Sequence, residues 1–158
     1  PQIYGEYERL AEEIFQRQEG EGWFNFFHFM VDLENGPCLA KRMSGCGAGC
    51  EYLAVTPQGD LYPCHQFVGQ DSYRMGSVLE GTYDDNMRKR FAACNLSSKP
   101  DCRSCWAKDH CSGGCAANAA QYGGGLDKPY KLSCDMQKKR LEIALDLYAL
   151  EEGSVGDA

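Results

Sequence analysis

At 158 residues the chain fits a single domain able to bury roughly 68–70% of its unfolded surface. Its eighteen glycines and ten cysteines point to loops pinned by inorganic centres around a modest local core. A formal charge of −7 argues against nucleic acid as a partner: Arg88, Lys89 and Arg90 make only a short basic cluster, and no Lys/Arg patch interleaved with aromatics offsets the acidity. No run approaches ~20 apolar residues, so no membrane-spanning helix is expected. Pro1 opens without the basic segment and apolar stretch of a secretory leader, so the cysteines are expected to hold metal in a reducing cytoplasm.

Tyr7, Leu10, Ala11 and Ile14 recur at helical spacing, with Glu6, Glu8, Glu12 and Glu13 on the other faces, which predicts an amphipathic helix over 3–18. Glu19-Gly20-Glu21-Gly22 breaks it. Trp23 to Val31 is apolar on both alternating sets, the pattern of a strand buried on both faces. One helix and one such strand cannot make a parallel sheet. Residues 1–35 are therefore expected to be the end of an α/β domain upstream, unless the strand joins a small mixed sheet within the chain.

Around Pro57-Gln58-Gly59-Asp60 the chain signals a tight hairpin, with Tyr52 to Val55 leading in and Leu61-Tyr62 leading out. Antiparallel pairing would let Cys50 and Cys64 meet at its open end. Asp84 or Asp85 suits the N-cap of a short helix with Met87 and Phe91 inward, ending near Cys94. Leu141, Ala144, Leu145 and Tyr148 mark a last helix of about three to four turns. Ser154 to Ala158 read as a frayed end. Gly123-Gly124-Gly125 lacks the Lys-Ser/Thr of a phosphate loop and reads as a turn.

The cysteines carry the chemistry. Eight of the ten fall at Cys46-x3-Cys50-x13-Cys64 and Cys102-x2-Cys105-x5-Cys111-x3-Cys115-x18-Cys134, enough thiolate for two four-sulfur sites. Close pairs such as Cys102 and Cys105 let one tight loop supply two ligands at small entropic cost. Zinc also uses such pairs, so spacing leaves iron–sulfur and zinc both open. A c-type haem is excluded because Trp106 stands where a histidine must follow Cys105. Cys46-x3-Cys50 starts the C-x3-C-x2-C motif of a radical S-adenosylmethionine cluster, but Leu53 occupies its third position. His65 and His110 adjoin ligand candidates and suit outer support; His28 suits a packed, hydrogen-bonded residue. Cys38 and Cys94 have no partner at ligand spacing and read as small thiols.

Cys46-Gly-Ala-Gly-Cys50, the stretch Tyr52 to Phe67 around Pro-Cys64-His, Met75-Gly-Ser-Val and Cys102-Arg-Ser-Cys105-Trp-Ala-Lys-Asp-His-Cys111-Ser-Gly-Gly-Cys115 together resemble the SPASM domain that follows the barrel of many peptide-modifying radical S-adenosylmethionine enzymes. Within that class these segments resemble the maturases of SCIFF peptides, which form thioether crosslinks. The resemblance implies a small, loop-rich α+β fold in which a β-hairpin and short helices surround two cysteine-ligated sites. Residues 36–140 would form the auxiliary-cluster domain, and 141–158 a C-terminal helix and tail. It implies two 4Fe–4S clusters: one on Cys46, Cys64 and Cys115 with Cys50 as candidate fourth ligand, the other on Cys102, Cys105, Cys111 and Cys134. Zinc can take their place in recombinant material. It further implies a precursor peptide as substrate, an electron-donor protein, and S-adenosylmethionine bound only by the barrel of the full-length parent, so that no residue of this chain alone is catalytic. A zinc-stabilised four-cysteine peptide- or protein-binding module and a ferredoxin-like electron carrier are the rival expectations.

Overall fold

A computed structural model describes residues 2–17 and 22–155. In chain order the helices are α1 (Gln2–Gln16), α2 (Leu39–Ser44), α3 (Asp85–Ala93), α4 (Pro100–Arg103), α5 (Ala116–Asn118) and α6 (Lys131–Val155). The strands are β1 (Ala54–Val55), β2 (Asp60–Tyr62), β3 (Gly76–Ser77) and β4 (Thr82–Tyr83). The chain divides into two compact units, Pro1–Pro37 with Leu132–Ala158, and Cys38–Lys131.

In the first unit α1 follows its periodicity: Tyr7, Leu10, Ala11 and Ile14 pack against Phe26, Phe29, Ile143 and Leu147. Gln18 to Glu21, the end of the expected helix and most of its break, lie outside the described residues. The strand expected over Trp23 to Val31 does not form, and this corrects the helix-strand reading of residues 1–35. Only a single 3-10 turn, Phe27–Phe29, occurs there, with Phe29 buried, Phe27 79% exposed and Trp23 more than half exposed. The reason is backbone hydrogen bonding. A strand needs a neighbour to take its N–H and C=O groups, and every described strand of this chain lies between Ala54 and Tyr83, in the other unit. Residues 26–30 instead close bonds among themselves, Phe29 N to Phe26 O at 2.9 Å and Met30 N to Phe27 O at 3.2 Å. The aromatic rings meet edge-on, Phe26 to Phe29 at 4.8 Å and Tyr7 to Phe29 at 5.8 Å between centroids.

Helix α6 is far longer than its apolar stripe predicts, 25 residues or about seven turns. Pro129 stands just ahead of it, and strong helix formers (Leu, Lys, Arg, Glu, Ala) dominate the run that follows. Its buried side chains are Leu141, Ile143, Ala144 and Leu147, whereas Leu145 of the expected stripe is half exposed. Lys139 pairs with Glu8 at 2.6 Å, and Arg140 Nη1 lies 3.1 Å from His28 Nδ1, so His28 is hydrogen-bonded as expected but exposed instead of packed. Gly156 to Ala158 of the expected frayed tail lie outside the described residues.

The second unit is a four-stranded antiparallel meander, β1-β2-β3-β4, with short helices around it. The hairpin forms as predicted, pairing Ala54 with Tyr62 and Val55 with Leu61. Its turn is closed by Thr56, whose carbonyl accepts from Gly59 N at 2.9 Å and whose hydroxyl accepts from Asp60 N at 3.1 Å. The second pair of strands went unforeseen because each is two residues long, too short to show alternation. Gly76 is required in β3: its φ is 129° and a Cβ there would collide with the Thr82 carbonyl.

Phe67 and Met75 are fully buried at the centre of this unit, with Leu61, Tyr62, Met87 and Phe91 around them. Phe67 meets Tyr73 at 4.4 Å and Phe91 edge-on at 5.4 Å. Asp84 is the cap of α3, its carboxylate accepting from Asn86 N and Met87 N. The observed architecture is thus the expected small α+β fold, with two more strands than the hairpin. Phe67→Ala should cost about 3–5 kcal/mol in chemical denaturation, against at most about 0.5 kcal/mol for the exposed Phe27→Ala.

Candidate metal centre

The hairpin register decides which sulfurs meet. Continuing from Ala54 and Tyr62, the residue across from Cys64 is Tyr52, not Cys50. The loop before it folds back onto this open end, because Gly49 N donates to Pro63 O at 2.8 Å and is shared with Tyr52 O at 3.1 Å. The charges of three thiols from different parts of the chain, Cys64, Cys46 and Cys115, act on the Tyr52 phenol. Burial first, then the charges of Cys64 and Cys46, a hydrogen bond with Cys64, and the charge of Cys115 all push the Tyr52 phenol above its ordinary range.

Each of these thiols comes from a different segment. Cys46 follows α2 and is exposed; Cys64 ends β2 after Pro63 and is buried; Cys115 caps α5 and is exposed. The Cys46 loop also lies against the Cys111–Cys115 loop: a Cβ on Gly45, whose φ is 67°, would stand 3.3 Å from the Ser112 carbonyl. Only glycine permits that approach without displacement.

Cys50 is directed elsewhere. Its thiol donates to the Arg88 carbonyl of α3 at 3.4 Å. Burial pushes the Cys50 thiol up, opposed by the Arg88 charge and reinforced by Glu51. The expectation that Cys50 and Cys64 face each other across the hairpin is corrected by the register: the four-residue loop places Tyr52 in that position.

Cys102, Cys105 and Cys111 follow one another along a run of single turns. Cys105 N bonds to Cys102 O, Lys108 N to Cys105 O and Cys111 N to Lys108 O, each at 3.1–3.2 Å. Cys102 is buried in α4, and Cys105 and Cys111 are half-buried. Cys134 is half-buried in the first turns of α6, in the other unit. His65 and His110 each fall in a 3-10 turn beside a ligand candidate. Among the described residues, no three His, Cys, Asp or Glu side chains already stand as a ready metal cage.

Two residues of this centre carried no signal in the sequence. Tyr52 reads there as an ordinary strand aromatic. Lys99 reads as a surface lysine ahead of a proline, yet it is only 2% exposed, and its Nζ donates to the Gly113 carbonyl at 2.7 Å. Beside it the Cys94 thiol donates to Leu126 O at 2.7 Å. Burial pushes Cys94 up, Lys99 opposes this by charge and hydrogen bond, and Asp127 and Cys46 add to the rise.

Thiol accessibility follows from this placement. In the metal-free protein, timed alkylation read by mass spectrometry should label Cys38, Cys46, Cys50 and Cys115 early and Cys64 last. Early labelling of Cys64 would contradict its place beneath Tyr52.

Residues 46–106 match the family model of the SPASM iron–sulfur cluster-binding domain. The match spans Cys46, Cys50, Cys64, Cys102 and Cys105. The chain is also similar to mycofactocin maturase MftC from three mycobacteria. It is 32% identical over 109 residues to that of Mycobacterium tuberculosis strain CDC 1551 / Oshkosh, covering 66% of this chain and 27% of the relative. Against the Mycobacterium ulcerans protein it is 33% identical, covering 66% and 29%. Against the Mycolicibacterium smegmatis protein it is 29% identical, covering 66% and 27%. The chain therefore spans little more than a quarter of the length of these relatives. No described helix is long and apolar enough to cross a membrane. Over residues 46–106 the chain is thus similar to the SPASM domain, an iron–sulfur cluster-binding domain.

Proposed function

We propose that the chain is the auxiliary-cluster part of a radical S-adenosylmethionine maturase, holding two 4Fe–4S clusters that serve precursor-peptide binding and electron transfer. The observation that carries this is that the loop ending at Cys46 lies against the Cys111–Cys115 loop at Gly45 and Ser112, while Cys46, Cys64 and Cys115 all act electrostatically on Tyr52. The donors around that ring are all thiols, the soft ligands that iron–sulfur clusters take. Cys64 is held by the sheet, while Cys46 and Cys115 lie on exposed loops able to draw in around a cluster. The candidate fourth ligand, Cys50, must first release the Arg88 carbonyl. Cys102, Cys105, Cys111 and Cys134 would hold the second cluster.

Bound there, the clusters supply one-electron transfer at a potential set by thiolates, N–H donors and burial. The chain's own residues do the rest. The buried Phe67 and Met75 fill the core beneath the hairpin, in the same cluster as Cys64. Support for a peptide substrate comes from the maturase names of the relatives. Within that class, thioether crosslinking is the chemistry we infer from the likeness to SCIFF maturases. The parent would supply the S-adenosylmethionine cluster, a barrel and a docking place for an electron-donor protein, all in the cytoplasm.

Anaerobic purification followed by iron, sulfide and zinc analysis tests the proposal. Two cubane clusters require about eight iron atoms per chain, and a colourless protein holding zinc would replace this reading with that of a binding module. Cys115→Ser and Cys105→Ser should each lower iron to about four, whereas Cys38→Ser and Cys94→Ser should leave it at about eight. Cys50→Ser settles the fourth position: loss of about four iron atoms makes Cys50 a ligand, and full iron leaves one iron of the first cluster open.

A further inference from the structure

Among the described residues, Lys99 is a buried charge that the proposed chemistry has not used. Its side chain is almost wholly removed from solvent, and its contacts, the Gly113 carbonyl at 2.7 Å and the Cys94 thiol, are both uncharged. A buried ammonium with neutral partners bears a desolvation cost that an anion nearby would offset. Two placements bring that anion within reach. Gly113 belongs to the loop between Cys111 and Cys115, one candidate ligand of each cluster. The adjoining Ser112 lies against Gly45, next to Cys46, and Cys46 acts electrostatically, after Asp127, on the same Cys94 that Lys99 touches. Lys99 thus sits behind the two loops that carry Cys46 and Cys115.

We propose that Lys99 is a positioning residue for the first cluster: its hydrogen bond to the Gly113 carbonyl holds the Cys111–Cys115 loop against the Cys46 loop, and its buried positive charge raises that cluster's reduction potential. The inference rests on the cluster reading above. A cluster with four thiolates carries net negative charge and gains one more electron on reduction, so a fixed cation in a poorly solvated place favours the reduced form. Screening by water and salt is weak there, unlike at surface lysines such as Lys89.

The test is an anaerobic redox titration of the iron-loaded full chain, followed by electron paramagnetic resonance, for the wild type and for Lys99→Gln, Lys99→Arg and Lys89→Gln. Lys99→Gln keeps a donor for Gly113 but removes the charge. It should lower one of the two cluster potentials by a factor of at least ten in the reduction equilibrium, ~59 mV for a one-electron couple. The other couple should move less. Lys99→Arg, which keeps the charge, and Lys89→Gln, which changes only an exposed one, should stay near the wild type.

An iron-loaded Lys99→Gln with both potentials unchanged overturns the inference. So does a shift of equal size in Lys89→Gln, which would make it an effect of net charge alone. If Lys99→Gln does not fold, circular dichroism of the metal-free protein shows it, and Lys99→Met is titrated in its place. Collapse of both neutral variants with a sound Lys99→Arg assigns the charge a role in folding only and overturns the redox claim. Failure of the wild type to take up iron and sulfide is a separate result that sinks the cluster reading itself.

Discussion

Antiparallel pairing of Ala54 with Tyr62 and of Val55 with Leu61 places Tyr52 across from Cys64, two residues further from the turn. Everything near the candidate centre is arranged from that pairing. Gly49 N, bonded to Pro63 O, folds the Cys46–Cys50 loop back over the open end, so Cys46 arrives beside Tyr52 while Cys50 turns outward to the Arg88 carbonyl. A hairpin shifted by one residue would turn Cys64 to the opposite face and break the group apart.

Beneath this end the packing is compact but small. Phe67, Met75, Leu61, Tyr62, Met87 and Phe91 form one cluster, tied to α3 through the Asp84 cap and to β3 through Met75 N on Leu61 O at 2.7 Å. Beyond it the chain from Asn95 to Cys115 is nearly all single turns, each closed by local backbone bonds. Such turns hold their own shape but bury little apolar surface, so they depend on something else for their mutual placement. Lys99 anchoring Gly113 is one such tie, and thiolate ligation, where it occurs, would be a stronger one.

The first unit carries a different lesson. Its aromatic run, Trp23 to Val31, has the composition of a buried strand, yet within this chain the Trp23 and Phe27 rings stay exposed and the backbone satisfies itself in a 3-10 turn. Composition called for cover on both faces, and Phe29 and Phe26 find theirs against α1 and α6 of the same unit. It did not specify the partner strand that would make the segment extended.

Local patterns settled on their own what depends on near neighbours along the chain. The stripe of α1, the Asp84 cap and the Pro57-Gln58-Gly59-Asp60 turn each follow from spacing and from the φ or hydrogen-bonding properties of a few adjacent residues. Tertiary structure alone decided that Tyr52 stands opposite Cys64, that Cys50 faces α3, and that Lys99 is buried behind the Cys111–Cys115 loop. Those placements are set by contacts between residues distant in the chain, some more than sixty apart, such as Gly45 with Ser112. No local property of either partner encodes where the other will be, because only the closing of register and loops in three dimensions brings them together.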